Sequence, residues 1–182
     1  MSFETLGLAP ALLRALAENN YTTPTPIQEQ AIPLILAGHD VLGGAQTGTG
    51  KTAAFALPVL NRLSKVTPPA GPRKPRTLVL VPTRELAVQV ADSFKTYGRH
   101  LKLNVTTLFG GVGMQPQVEQ LRRGVDVLVA CPGRLIDHLD RGSVKLDAVE
   151  VLILDEADRM LDMGFLPAIK RVLNRLPKDR QT

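Results

Sequence analysis

Tryptophan is absent from this chain of 182 residues, tyrosine occurs twice, phenylalanine five times and cysteine once. So few rings leave no obvious platform on which successive nucleic-acid bases could stack. The lone thiol, Cys131, cannot close an internal disulfide, which fits a reducing compartment and makes the cytoplasm the default location. No apolar run approaches the roughly 18 residues of a membrane span. The opening MSFETLGLAPALLRAL carries an acid at Glu4 and no basic n-region, which argues against a secretory signal. Internal repeats are also missing.

What is present has the balance of a soluble globular chain, with 44% apolar and 21% charged residues. Its length suits one domain with a sizeable core. Lys and Arg outnumber Asp and Glu by 22 to 17, and the resulting pI near 9.7 favours a polyanionic partner. Short Val/Leu-rich runs at 40–44, 77–81, 104–109, 126–130 and 149–155 have the length of buried strands. Helical patterns at 51–64, 84–97, 114–123 and 133–141 alternate with them, which predicts an α/β fold with a parallel sheet and helices on both faces. TPPAGPRKP at 67–75 holds too many prolines for helix or central strand and is predicted to be an exposed loop.

The stretch AQTGTGKT at 45–52 lies between the first predicted strand and the first predicted helix, the setting of a phosphate-binding loop. Gly48 and Gly50 let backbone N–H groups turn inward, and the following helix offers its positive end to an anion. Lys51 can reach β- and γ-phosphate oxygens, and the Thr52 hydroxyl can bind Mg²⁺. Ala45 stands where the pattern usually has its first glycine. A Gly-rich turn with an exposed lysine is the alternative.

Nucleotide hydrolysis also needs a carboxylate for the metal and one to organise water. VLILDEAD at 151–158 ends an apolar run in Asp155, which should emerge at the carboxyl edge of the sheet and hold Mg²⁺. Glu156 suits the water-orienting or general-base role. Acids at a helix start would look similar.

Together with PTRELA (82–87), GG (110–111), PGR (132–134) and TTPTPIQ (22–28), these stretches resemble, in order, the motifs of DEAD-box ATP-dependent RNA helicases. The likeness is to their amino-terminal RecA-like P-loop NTPase domain, and it runs from about Phe3 to the last residue. DEADRMLDMGF and TGTGKTAAFALP look closest to the bacterial RhlE-like branch. The resemblance implies that ATP is bound by Gln46, Thr47, Gly48, Thr49, Gly50, Lys51 and Thr52, with Lys51, Asp155 and Glu156 catalytic. Its Q motif, at about 20–28, would place Gln28 on the adenine edge, Tyr21 against the base and Thr23 nearby. A carboxamide matches the N6 and N7 positions of adenine. Core packing is the other reading of Tyr21. Asn20 replaces the usual glycine and tolerates the same left-handed backbone.

The resemblance also assigns RNA-backbone contact to Pro82, Thr83, Arg84, Gly110, Gly111, Pro132, Gly133 and Arg134. Arginine forks match phosphate and glycines permit close approach, although a solvated helix face and a helix entry are also open readings. Cys131 stands where the family has threonine, and a thiol is the poorer donor. RNA in preference to DNA is implied by the resemblance alone. The family's Ser-Ala-Thr motif and its second RecA-like domain, with an arginine finger, would lie beyond Thr182, so the chain reads as part of a longer helicase. Asp158 would communicate with that Ser-Ala-Thr motif. A nucleotide-binding module without turnover is the competing function, while a metabolic kinase would need a substrate pocket or lid that nothing here suggests.

Overall fold

The computed structural model describes residues 1–44, 48, 50–66 and 71–182. A short 3-10 helix (Phe3–Leu6) is followed by α1 (Pro10–Glu18), α2 (Pro26–Leu36), α3 (Lys51–Ser64), β1 (Thr77–Leu80), α4 (Arg84–Tyr97) and β2 (Val105–Leu108). Then come α5 (Met114–Arg122), β3 (Val127–Ala130), α6 (Pro132–Arg141), β4 (Val151–Leu154), α7 (Ala157–Asp162) and α8 (Leu166–Leu173). Contacts divide the chain into two compact units. The first is Met1–Thr67 with Asp92–Lys102 and Gln181, and the second is Pro68–Ala91 with Leu103–Arg180 and Thr182.

In the second unit four short aliphatic runs pair as an all-parallel sheet in the order β2-β3-β1-β4. Every residue of β1 and β3 is buried, so both faces of the central strands are covered, as a parallel sheet of apolar runs requires. Leu78, Leu80, Leu108, Leu128, Ala130 and Leu152 fall on one face by strand alternation, and they share a core with Leu135 and Leu139 of α6 and Ile169 and Val172 of α8. Helix α6 can supply that layer because Leu135, Ile136, His138 and Leu139 recur on a single stripe.

In the first unit α2 packs on α3, and α1 on α3. Pro26 occupies the first turn of α2, where a missing N–H costs nothing, and the Thr25 N–H donates to Gln28 Oε1 at 3.0 Å. The Gln181 carboxamide closes this unit by donating to the Ile35 and His39 carbonyls at 3.0 and 2.8 Å and accepting from Arg62 Nη1 at 3.2 Å.

Two sequence expectations need correction. Residues 40–44 form no strand, and Leu42 is fully exposed: the segment has only two aliphatic residues before two glycines, too little to anchor a ladder. The predicted exposed loop at 67–75 ends in buried Pro75. Arg73 and Arg76 draw that end inward by pairing with Asp126 at 3.1 and 3.2 Å, while the Val125 N–H bonds the Arg73 carbonyl at 2.9 Å. Residues 67–70 lie outside the described residues.

Candidate functional site

Gly50 is the pivot of the first unit. It has φ 84°, a left-handed angle suited to glycine, and caps α3 so that Lys51 and Thr52 open the helix. A Cβ here would collide with the amide nitrogen of Gln28 and lie 3.1 Å from Thr25 Oγ1. Gln28 is 6% exposed, and besides accepting from Thr25 it donates from Nε2 to the Gly50 carbonyl at 3.2 Å. Gln28 thus holds the residue that precedes Lys51. One N–H and one lone pair of its carboxamide remain outside these two bonds.

Tyr21 is half exposed, its ring centroid 6.0 Å from that of Tyr97 at an interplanar angle of 59°. Burial, followed by the neighbouring Tyr21, pushes the Tyr97 phenol up to about 12. Thr23 is exposed, and Asn20 has the left-handed φ of 60° that its position asks for. Gln46, Thr47 and Thr49 lie outside the described residues.

In the second unit the four remaining motifs leave the same edge of the sheet. Each ladder runs one residue past its strand: Val81 N–H to the Ala130 carbonyl at 3.0 Å, Cys131 N–H to Leu108 at 2.9 Å and Asp155 N–H to Leu80 at 3.0 Å. Because the strands are parallel, PTR follows β1, GG follows β2, PGR follows β3 and DEAD follows β4, all at the carboxyl edge where open α/β sheets bind ligands. Glu156 has φ 53° and ψ 50°, a left-handed conformation rare outside glycine, and this turn converts β4 into α7 immediately after Asp155.

The arginine-glycine cluster is tightly drawn. Arg84 is exposed at the start of α4, with its guanidinium carbon 5.1 Å from the centre of the Phe109 ring. A Cβ on Gly111 would stand 3.9 Å from Arg84 Nη1, and one on Gly110 would stand 4.0 Å from Arg134 Nη2. Thr83 Oγ1 caps α4 by accepting from the Leu86 N–H at 3.2 Å. Pro132 is buried at the start of α6, with Gly133 exposed beside it. Burial, with Glu85 adding to it, raises the Cys131 thiol to about 11, so it stays a neutral, weak donor at physiological pH.

Two buried residues behind this cluster, Gln117 and His138, were not singled out from sequence. His138 lies on the apolar stripe of α6 and Gln117 precedes Leu121 by one helical turn, so their spacing with core positions was the available signal. Among the described residues no group of three or more His, Cys, Asp or Glu could hold a metal ion, and no helix is long and apolar enough to cross a membrane.

A parallel α/β sheet whose carboxyl edge gathers a carboxylate pair and a fork of arginines over glycines belongs to the RecA-like class, in a chain that also carries a glycine-capped helix opening with Lys51 and Thr52. Residues 25–182 match the family described as DEAD/DEAH box helicase, and the chain belongs to that family. It is 48% identical over 181 residues to the ATP-dependent RNA helicase DeaD of Mycobacterium tuberculosis (strain ATCC 25618 / H37Rv), with 99% of this chain and 31% of that protein covered. It is 44% identical over 182 residues to the ATP-dependent RNA helicase CshA of Limosilactobacillus reuteri, covering 100% of this chain and 36% of the relative. The RNA helicase CrhR of Synechocystis sp. (strain ATCC 27184 / PCC 6803 / Kazusa) is 44% identical over 181 residues, with the same coverages of 100% and 36%. The chain therefore spans about a third of the length of these relatives.

Proposed function

We propose that this chain is the nucleotide-binding part of an ATP-dependent RNA helicase, which couples ATP binding and hydrolysis to RNA binding and local duplex unwinding. The observation that carries the reading is the carboxyl edge of the sheet: Arg84, Gly110, Gly111 and Arg134 converge there, on the sheet that also ends in Asp155 and Glu156.

Each unit contributes its own roles. In the first, Lys51 and the amides that open α3 take the phosphates, with Gln46, Thr47, Gly48, Thr49 and Gly50 assigned to the same nucleotide by the motif, and Gln28, Tyr21 and Thr23 take the base. Thr52 offers a hydroxyl oxygen to Mg²⁺. In the second unit Asp155 offers a carboxylate to Mg²⁺ and Glu156 orients water, oxygen donors of the hard type that magnesium prefers. Bound magnesium would supply charge neutralisation on the phosphate oxygens. Pro82, Thr83, Arg84, Gly110, Gly111, Pro132, Gly133 and Arg134 hold the RNA backbone with little reading of base sequence. The cytoplasm suits such an activity. Placement near the RhlE-like branch rests on DEADRMLDMGF and TGTGKTAAFALP, whereas the relatives above carry other branch names.

The arginine finger belongs, by family resemblance, to a second RecA-like domain, and its absence in related NTPases costs about 10³ to 10⁵ in rate. These 182 residues alone should bind ATP and hardly hydrolyse it, with or without RNA. The test is phosphate release by this chain, with and without saturating RNA, beside a chain extended through a second domain. RNA-stimulated release by the 182 residues alone would overturn the two-domain assignment. ATP binding that is indifferent to Lys51→Ala would overturn the nucleotide reading.

A further inference from the structure

Gln117 has no assigned role, yet it touches the proposed RNA-backbone site from behind. It sits on α5, 6% exposed, and its Nε2 donates to the Phe109 carbonyl at 3.0 Å. Its Oε1 accepts two bonds, from Arg134 Nη1 at 3.2 Å and His138 Nε2 at 2.9 Å. The orientation of this carboxamide is dictated by its neighbours, since a backbone carbonyl can only accept and a guanidinium can only donate. His138, fully buried, donates from Nε2 and thereby occupies the second lone pair of Oε1.

The consequence falls on Arg134. Its Nη1 also donates to the Val112 carbonyl at 3.0 Å, so both hydrogens of that nitrogen are committed. Nε lies 3.7 Å from Asp137, and among the described residues Nη2 donates to no protein acceptor. Nη2 is the atom that faces Gly110. A long side chain with several rotatable bonds is thus held by one end of its fork while the other end stays open. A neutral acceptor achieves this without cancelling the guanidinium charge, as a carboxylate at the same position would.

We propose that Gln117 is a positioning residue for RNA binding: through its carboxamide it holds Arg134 so that Nη2 is presented at the Gly110–Gly111 loop to a phosphate of the RNA backbone. This rests on the reading of Arg134 as an RNA contact. Gln117 itself touches no RNA, and its bond to Phe109 serves to keep the oxygen turned toward Arg134.

The experiment measures binding of a short fluorescent polyuridylate to the 182-residue chain across a salt series, with thermal melting as the control for folding. Arg134→Ala should weaken binding and lower the salt slope by about one, the signature of a lost phosphate contact. Gln117→Met, close in volume and without the carboxamide, should weaken binding about tenfold, the scale of one charge-assisted hydrogen bond. Gln117→Glu should also weaken it, because the new carboxylate neutralises Arg134. Neither change should cost more than about twofold further in an Arg134→Ala background, since coupled residues are non-additive. Unchanged affinity in a folded Gln117→Met variant overturns the proposal, as does an equal loss with and without Arg134. If the methionine variant does not fold, an unaltered affinity and salt slope in Gln117→Glu overturn it instead. Unchanged binding in Arg134→Ala defeats the RNA reading of that residue, and the proposal with it.

Discussion

Two glutamines, one in each unit, are equally buried and differently bonded. Gln28 and Gln117 are both 6% exposed, and each ties a helix to a glycine-bearing loop. Among the described residues Gln28 meets only backbone partners, Thr25 N–H and the Gly50 carbonyl, and keeps one donor and one acceptor site. Gln117 spends its oxygen completely, on Arg134 and His138. A carboxamide with spare capacity can read a ligand, whereas one whose oxygen is saturated by the protein can only orient a neighbour. Burial alone does not separate the two residues; the count of satisfied hydrogen bonds does.

Asp126 marks the extreme of saturation and carries the largest expected effect. It is fully buried, forms an ion pair with Arg73 at 3.1 Å, and accepts from Arg76 at 3.2 Å and from the Asn104 N–H at 2.7 Å. Asp126→Ala strands two cations and should destabilise the chain by about 3–5 kcal/mol, measured by denaturant unfolding. If saturated groups are structural, nucleotide affinity under folding conditions should stay within about twofold. A stable variant with weakened nucleotide binding would break the comparison.

The unsaturated partner comes next. If Gln28 reads adenine with its spare sites, Gln28→Ala should weaken ATP and ADP by about 1–3 kcal/mol more than GTP and GDP. Calorimetry with the four nucleotides checks this. Equal losses would mean that the residue acts only through Gly50, by steadying the phosphate loop.

The smallest effect is a pH dependence at His138. Burial first, and Arg134 next, hold its imidazole below the ordinary 6.5, with Arg141 lowering it further and Asp137 opposing them. In the unfolded chain the same imidazole binds its proton at higher pH. Its contribution is therefore complete above about 6.5 and is lost as pH falls through the interval toward the folded value. Denaturation midpoints at neutral and mildly acidic pH should lie further apart in the parent than in His138→Gln by a small margin; a parent without excess acid sensitivity would contradict the buried neutral imidazole.

Much of the sheet was legible because its runs are nearly pure aliphatic: 77–81 became Thr77–Leu80 and 126–130 became Val127–Ala130. The helices at Lys51–Ser64 and Arg84–Tyr97 matched their apolar period residue for residue. The failures share a cause. Residues 40–44 read as a strand on two aliphatic residues, and α1, α2, α7 and α8 passed unread: α1 and α2 lie beside proline-rich or motif stretches, and α7 and α8 are short. Local composition could not say which marginal segments would find a partner surface.

The sequence by itself determined the family, through the order of the phosphate loop, DEAD, GG and PGR stretches, and it named the residue types able to meet phosphate. Only the tertiary structure decided that GG, PGR and DEAD, with PTRELA, leave one edge of a parallel sheet in the order β2-β3-β1-β4, because β1 pairs with β3 and β4 and not with β2, which follows it in sequence. It also decided which buried amides are spent. Gln117, Arg134 and His138 lie 17 and 21 residues apart along the chain, and no periodicity encodes a hydrogen bond that exists only once α5 and α6 have packed.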